Sequence, residues 1–179
     1  MEEYSLKEIT RKSQIIYKGK LVNLRLEEVL LPDERIASRE IIEHPGSVVI
    51  IPLLENNKIV VIKQFRKPVE QVLYELPAGK LEKGEDIAKC AERELLEETG
   101  YKAKEMIKLS SFYTTPGFSD ELMHLFLAKG LILNQQQLNQ NEFLEVNIFS
   151  LAELIKMVIE NKIRDAKSII GLFWAKFLF

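Results

Sequence analysis

The sequence predicts an α/β or α+β fold, in which helices sandwich a mixed β-sheet and antiparallel strands precede them. Apolar and polar residues alternate over residues 13–42, which is the period of half-buried strands. Runs rich in β-branched residues follow over residues 47–64, and helical periodicity recurs after residue 86. Strands interleaved with a few helices are typical of helices packed on a mixed sheet.

Turn-forming residues separate the strands of the first half. Lys18-Gly19-Lys20 and Pro32-Asp33-Glu34 interrupt the alternation of the N-terminal region, which favours antiparallel strands on either side of each turn. The runs 47–54 and 59–64 are separated by Glu55-Asn56-Asn57-Lys58, a composition typical of a hairpin turn. We therefore expect these two runs to pair with each other.

The second half alternates between strands and helices. Helical periodicity over residues 86–99 stops at Gly100, and glycine commonly ends helices. The other predicted elements are strands at 106–113, 122–128 and 142–149 and closing helices at 151–161 and 166–179. These patterns divide the chain into a strand-rich N-terminal extension, residues 1–42, and a second domain, residues 43–179.

Composition and charge narrow the class of protein. The chain has 179 residues, of which 46% are hydrophobic and 29% charged, and this suits one globular domain with a short extension. A formal net charge of -2 provides no basic field for nucleic acid or an anionic membrane. Any positive charge that an anionic substrate needs must therefore be local or come from bound metal.

Cysteine content and the two termini favour a cytoplasmic protein. Cys90 is the single cysteine of the sequence, which excludes an intrachain disulfide and fits a reducing compartment. Residues 1–17 are charged and lack the apolar core of a secretory signal. The apolar run 169–179 contains Lys176 and is shorter than the roughly 20 residues that span a bilayer. We expect this run to form a buried terminal helix.

Three carboxylates share one face of the helix predicted over residues 86–99. Glu94, Glu97 and Glu98 stand at i, i+3 and i+4, so their side chains lie close together and repel one another. On the helical wheel they border the apolar stripe that contains Leu95, where a charge without a partner is costly. Oxygen ligands grouped at such an edge are what Mg²⁺ prefers. The alternative is an ordinary solvated helix face.

The residues around this helix add to the interpretation. Arg93 points about 100° away from Glu94 on the wheel, so we do not expect it to neutralise the carboxylates. The preceding turn, Leu76-Pro77-Ala78-Gly79, can aim the backbone carbonyl of Ala78 at a cation. Glu85 lies where the helix begins, and it is either a charge favoured by the helix dipole or a further ligand.

The acidic helix and the turn before it resemble the Nudix box, the signature of the Nudix hydrolase family. The matching positions, with the spacing of the family, are Gly79, Glu85, Arg93-Glu94-Leu95, Glu97-Glu98 and Gly100. The next position is usually aliphatic and is Tyr101 here, a departure that affects packing rather than chemistry. The resemblance covers about residues 13–175 and implies an α/β/α sandwich around a mixed sheet.

Residues beyond the box resemble one subfamily, the ADP-ribose pyrophosphatases of bacteria and archaea. Pro116 lies 16 residues after Gly100, which is similar to its place in Nudix enzymes that act on ADP-ribose. The stretches 64–66, 74–79 and 163–167 also look like this subfamily. The resemblance implies Mg²⁺-dependent hydrolysis of the pyrophosphate bond of ADP-ribose to AMP and ribose 5-phosphate.

The same resemblance implies a metal site made of box residues. Glu94, Glu97 and Glu98 would hold two or three Mg²⁺ ions, with Mn²⁺ as the alternative metal, together with the carbonyl oxygen of Ala78. The ions would neutralise the diphosphate and lower the pKa of an attacking water.

Catalytic roles are implied for further residues. Arg93 and Glu85 would orient the helix and the loop before it. Glu142, in the loop before the last strand, is the candidate general base. Glu145, or a box glutamate such as Glu97, could serve in its place.

Six residues are implied as substrate ligands: Arg39, Arg66, Pro116, Gly117, Phe118 and Tyr17. Arg39 resembles an arginine that contacts the nucleotide in relatives, and Arg66 could bind phosphate through two parallel hydrogen bonds. Phe118 or Tyr17 could stack on adenine. Each side chain also has a structural alternative, as a surface arginine or as an aromatic residue of the core or of a dimer interface.

The partners implied by the resemblance are a nucleotide sugar and a second copy of the chain, without nucleic acid or membrane. In such a homodimer the N-terminal strands of one subunit cover the site of the other. Two alternatives remain open. One is a Nudix pyrophosphatase for another nucleoside diphosphate sugar, such as GDP-mannose. The other is a non-catalytic module that senses ADP-ribose, which would be expected to have lost the box glutamates that this chain retains.

Overall fold

The computed structural model describes residues 6–136 and 143–179, and within it the chain forms two compact units. The N-terminal unit comprises Met1–Gly46 and Tyr113–Leu122, and the C-terminal unit comprises Ser47–Phe112 and Met123–Phe179. A segment from the second half of the chain therefore belongs to the N-terminal unit, which the sequence did not predict.

Three antiparallel strands form the sheet of the N-terminal unit, and they confirm the strands and turns predicted there. They are β1 (Ile9–Lys18), β2 (Asn23–Leu30) and β3 (Ile36–Glu43), with β2 in the centre. The segment Tyr113–Leu122 is bonded to the end of β3. The Ile42 N–H donates to the Phe118 carbonyl oxygen at 2.8 Å, and the Ile42 carbonyl oxygen accepts from the Asp120 N–H at 3.2 Å.

The C-terminal unit is built on a mixed sheet. Its strands are β4 (Ser47–Pro52), β5 (Lys58–Arg66), β6 (Gln71–Glu75), β7 (Ala78–Lys80), β8 (Tyr101–Lys102), β9 (Glu105–Tyr113), β10 (Leu122–Lys129), β11 (Ile132–Leu133) and β12 (Leu144–Ser150). The order of the main sheet is β7-β4-β10-β9, in which β4 runs parallel to β10 and antiparallel to β7. A second, antiparallel sheet has the order β12-β5-β6, and β8 pairs with β11.

The predicted hairpin between the runs 47–54 and 59–64 is wrong. The two runs form β4 and β5. However, β4 pairs with β7 on one side and with β10 on the other, and β5 lies in the other sheet. A 3₁₀ turn over Glu55–Asn57 connects them, and a single bridge between Leu53 and Ile59 is what remains of the expected ladder. Periodicity identifies strands, but the partner of a buried strand is chosen by contacts between distant segments.

Helices cover both faces of the main sheet, which confirms the α/β/α sandwich. They are α1 (Ile87–Thr99), α2 (Leu151–Ile159) and α3 (Ala166–Leu178). Alternate residues of β4 point to opposite faces. Val48 and Ile50 pack with Leu95 of α1, whereas Val49 and Ile51 pack in the cluster that contains α2 and α3.

Local signals set the ends of the helices. The Asp86 carboxylate accepts from the N–H groups of the first turn of α1, and Gly100 ends the helix at a φ of 75°. α3 buries the face that carries Leu172 and Ala175, whereas Phe177 is 86% exposed, so the expectation of a buried terminal helix holds for one face only. In the part of the chain described here, none of the helices has the length and apolar composition that a membrane span requires.

Candidate active site

The carboxylates of α1 surround the guanidinium of Arg93. Its Nε and Nη2 donate to the two oxygens of Glu85 at 2.8 and 2.9 Å, and its Nη1 donates to Glu94 at 2.7 Å and Glu97 at 3.2 Å. The expectation that Arg93 does not neutralise the carboxylates is therefore wrong. The arginine side chain is long enough to fold back over its own helix, although its Cβ points away from Glu94.

These contacts keep the Glu85 carboxylate ionised. The hydrogen bonds from Arg93 lower the pKa of Glu85 to about 2. Burial raises the pKa of the neighbouring Cys90 to about 12, so its thiol stays protonated and is unreactive. With Glu94 and Glu97 included, three carboxylates contact this one guanidinium.

Strand β7 lies directly against the acidic helix. A Cβ atom added to Gly79 would lie 1.9 Å from the Cδ atom of Glu94, so the Glu94 carboxylate occupies the space that a side chain at residue 79 would need. Glu98 is buried, and its Oε2 accepts a hydrogen bond from the Ala78 N–H at 2.9 Å. Ala78 and Gly79, predicted as part of a turn, thus belong to a short strand, β7, that pairs with β4 next to the carboxylates.

A second ion-pair network lies at the end of β6. Glu75 is 2% exposed and accepts from Arg66 Nε at 2.7 Å, from Arg66 Nη2 at 2.8 Å and from Lys167. Burial alone would raise the pKa of Glu75, but the hydrogen bonds and charges of Arg66 and Lys167 together lower it. The two parallel hydrogen bonds expected between Arg66 and phosphate are made here to Glu75, and phosphate binding by Arg66 stays a prediction.

Gln64 belongs to the stretch 64–66 that resembles the ADP-ribose pyrophosphatases. It lies two residues before Arg66 on β5, so both side chains are on the same face of the strand. Its Oε1 atom is buried and has no hydrogen-bond partner among the described residues. A buried acceptor without a partner in the protein is expected to accept a hydrogen bond from a bound molecule, such as water, a hydrated cation or a substrate.

The general-base candidates are only partly within the described residues. Glu142 lies outside them. Glu145 lies on β12, where its exposed carboxylate forms an ion pair with Lys63 at 3.4 Å. The role of either residue stays a prediction.

Four of the six predicted substrate ligands line one cavity of the N-terminal unit, with a volume of about 560 Å³: Arg39, Pro116, Gly117 and Phe118. Arg39 Nε donates to Glu8 at 2.9 Å in the same cavity. Tyr17 is exposed on β1, and its ring lies against Gly19, where an added Cβ would be 2.8 Å from the ring.

The carboxylate set suits a divalent cation by its chemistry. It offers hard oxygen donors at a partly enclosed edge. In the part of the chain that the structure describes, three acidic, histidine or cysteine side chains do not converge on one point. Arg93 lies between the carboxylates of Glu94 and Glu97 and relieves their repulsion.

An acidic helix packed on a mixed sheet, with its arginine and its close glycine, defines a hydrolase of the Nudix class. The chain matches the NUDIX domain over residues 43–170 and belongs to this family. It is similar to a solved structure described as an ADP compounds hydrolase, with a TM-score of 0.85, 18% sequence identity and coverage of 96% of this chain and 94% of that one. At that identity the likeness shows the fold alone.

Characterised relatives cover most of the chain. It is 45% identical to the ADP-ribose pyrophosphatase of Bacillus subtilis, over 92% of this chain and 90% of the relative. It is 44% identical to the methanol dehydrogenase activator of Bacillus methanolicus, with the same coverage. It is 32% identical to the ADP-ribose pyrophosphatase of Mycobacterium tuberculosis, over 96% of this chain and 84% of the relative.

Proposed function

We propose that this protein hydrolyses the pyrophosphate bond of ADP-ribose, with Mg²⁺, to AMP and ribose 5-phosphate. The observation that carries the proposal is the carboxylate set of α1 held around Arg93 and against Gly79. The names of two relatives, both ADP-ribose pyrophosphatases, support the choice of substrate.

The residues of the acidic helix and of the strand beside it have two kinds of role, as metal ligands and as positioning residues. Glu94, Glu97, Glu98 and the Ala78 carbonyl would hold the metal, and bound Mg²⁺ supplies charge neutralisation of the diphosphate and a water of lowered pKa. Arg93 positions Glu94 and Glu97 through direct hydrogen bonds and is itself held by both oxygens of Glu85. The hydrogen bond between Glu98 and the Ala78 N–H holds helix and strand together at the site.

Proton removal from the attacking water is proposed for Glu142, with Glu145 or Glu97 as the alternatives. Two or three Mg²⁺ ions, replacement by Mn²⁺, a homodimer formed through the N-terminal strands and a cytoplasmic location are further parts of the proposal. The exposed apolar side chains of β1 support the homodimer.

The test is release of AMP from ADP-ribose with and without Mg²⁺. Glu98→Gln should lower kcat/KM on the order of 10²-fold or more, because it removes a carboxylate from the metal site. Glu92→Gln is the matched control, because Glu92 is exposed on the same helix, and it should retain wild-type activity. Lack of AMP release by folded wild-type protein with Mg²⁺ or Mn²⁺ would contradict the substrate assignment. Turnover of GDP-mannose in place of ADP-ribose would favour the alternative substrate.

A second candidate function comes from the relative named methanol dehydrogenase activator, which is as similar to this chain as the first. The two functions are compatible, because one protein can bind a dehydrogenase and hydrolyse a nucleotide. Addition of the wild-type protein and of Glu98→Gln to a methanol dehydrogenase separates them. Activation by wild type alone would link the effect to hydrolysis, and no activation by either would remove this candidate.

A further inference from the structure

Glu27 is a buried carboxylate that lines the cavity of the N-terminal unit, and the sequence did not single it out. The residue is 7% exposed, which is rare for a glutamate unless it has partners. The cavity around it also contains Arg39, Tyr113 and Phe118. Because Glu27 is buried but lines an open cavity, a ligand that enters the cavity can contact its carboxylate without a rearrangement of the protein.

Two neighbours hold the Glu27 carboxylate in place. The Thr10 hydroxyl donates to Oε2 at 2.9 Å, and Arg25 Nη1 donates to Oε1. Arg25 is fixed in turn, because its Nε donates to Glu43 at 2.7 Å. A carboxylate has about four lone-pair positions, and these bonds use one on each oxygen. Each oxygen can therefore accept one further hydrogen bond, so the group suits a ligand with two adjacent donors.

Two aromatic rings in the same cavity suit a planar ligand. Tyr113 is 59% exposed and Phe118 is 53% exposed, so a large part of each side chain is open to a partner. Phe118 is held by its backbone, because its N–H donates to the Thr115 carbonyl oxygen and its own carbonyl accepts from Ile42. Exposed aromatic side chains, Tyr113 at the end of β9 and Phe118 on the anchored loop that follows, provide stacking surfaces for a base.

We propose that this cavity binds a ribonucleoside and that Glu27 accepts hydrogen bonds from the 2′- and 3′-hydroxyls of its ribose. The proposal rests on the proposed function, which supplies a nucleotide with adenine as its base. Adenine offers no pair of adjacent donors on two ring positions, whereas a ribose cis-diol offers one hydroxyl for each carboxylate oxygen. Glu27 is thus a specificity-determining residue that favours ribonucleotides over deoxyribonucleotides.

The experiment measures binding by calorimetry to the full-length protein, with AMP, 2′-deoxyAMP, 3′-deoxyAMP and GMP as probes. Wild type should bind each deoxynucleotide about ten- to a hundredfold more weakly than AMP, since a buried acceptor loses its donor. Glu27→Gln should bind AMP more weakly and lose most of this preference, because its side chain has one acceptor oxygen. Glu28→Gln is the matched control, because Glu28 is the next residue of β2 and points to the other face of the sheet.

Several results would overturn the inference. Equal affinity of wild type for AMP and both deoxynucleotides would do so without any variant, so a folding defect of Glu27→Gln cannot hide the answer. A similar loss of affinity for all four probes in Glu27→Gln would assign the residue a structural role. If GMP binds to wild type more tightly than AMP does, and Glu27→Gln abolishes this difference, the carboxylate binds the N–H groups of guanine and not the ribose. Hydrolysis of ADP-ribose without any AMP binding would remove the site, whereas ribose-dependent AMP binding without hydrolysis would contradict only the proposed function.

Discussion

Gly79 shows how one residue limits the distance between strand β7 and the acidic helix. Any side chain at this position would overlap the Glu94 carboxylate, so the close contact depends on a missing Cβ atom. The sequence marked Gly79 through its spacing from the glutamates, but the reason for a glycine is visible only in the structure. For Arg93, the helical wheel predicted the direction of the Cβ atom. It did not predict that the long side chain reaches back to Glu94 and Glu97.

Gly79→Ala should displace the Glu94 carboxylate and weaken Mg²⁺ binding. The added methyl group cannot be accommodated without movement of Glu94 or of β7, and overpacking of this kind costs about 1–3 kcal/mol. The measurements are the Mg²⁺ dependence of AMP release and the free energy of unfolding in urea. Gly117→Ala is the control for unfolding, because nothing lies within 4 Å of its Cβ position. Unchanged Mg²⁺ dependence in Gly79→Ala would contradict the placement of Glu94 at the metal.

Glu75→Gln should destabilise the protein by about 2–4 kcal/mol at neutral pH, because Arg66 and Lys167 would lose their buried carboxylate. The pKa of Glu75 is lower in the folded protein than the value of about 4.3 in an unfolded chain. Its stabilisation is therefore complete above that value and is lost as pH falls through the folded pKa. Melting temperatures from pH 7 to pH 3 should converge for wild type and Glu75→Gln.

The control for Glu75→Gln is Glu70→Gln, which breaks an exposed ion pair with Lys67. Such surface pairs contribute about 0–1 kcal/mol, so the melting temperature of this variant should stay near that of wild type at every pH. A constant difference between Glu75→Gln and wild type down to pH 3 would show that Glu75 does not titrate as described.

At the scale of secondary structure, elements with local signals were predicted well and pairings were not. The spacing of residues 86–99 predicted α1 to within one residue, because the cap at Asp86 and the stop at Gly100 act on neighbouring backbone groups. The antiparallel strands of the N-terminal unit were predicted from their alternation and turns. The partner of β4 was not, since β7 and β10 come from later parts of the chain.

Asp86→Ala should remove the N-terminal cap of α1. The Asp86 carboxylate accepts from the Ala88 and Lys89 N–H groups at 3.0 and 3.1 Å, and loss of such a cap costs about 1 kcal/mol. The free energy of unfolding in urea measures this. Asp33→Ala, which breaks an exposed pair with Arg35, should change it by less than about 0.5 kcal/mol. Equal effects of the two substitutions would argue against a specific cap.

At the scale of the whole molecule, β1 carries apolar side chains that the single chain leaves exposed. Ile9, Ile15, Ile16 and Tyr17 are all exposed, and apolar groups on a strand of this kind are a common site of association. The homodimer of the proposed function would cover them.

Wild-type protein should therefore sediment as a dimer, and Ile15→Lys/Ile16→Lys should sediment as a monomer. Adjacent residues of a strand point to opposite faces, so this double change places a charge on whichever face is the interface. Analytical ultracentrifugation at micromolar concentration measures the mass. Leu133→Lys, at an exposed apolar residue of the C-terminal unit, is the control and should remain dimeric. A monomeric wild type would refute the homodimer.

The sequence by itself determined the acidic helix, its stop at Gly100, the antiparallel N-terminal strands and the family, because these depend on spacing and period within short segments. Only the tertiary structure decided that β4 and β5 lie in different sheets, that Arg93 binds three carboxylates, and that Glu27 lines a cavity. The physical reason is distance along the chain and side-chain reach. The hydrogen bonds that place residues 113–122 beside β3 join Ile42 to Phe118 and Asp120, and no local pattern encodes contacts between segments so far apart.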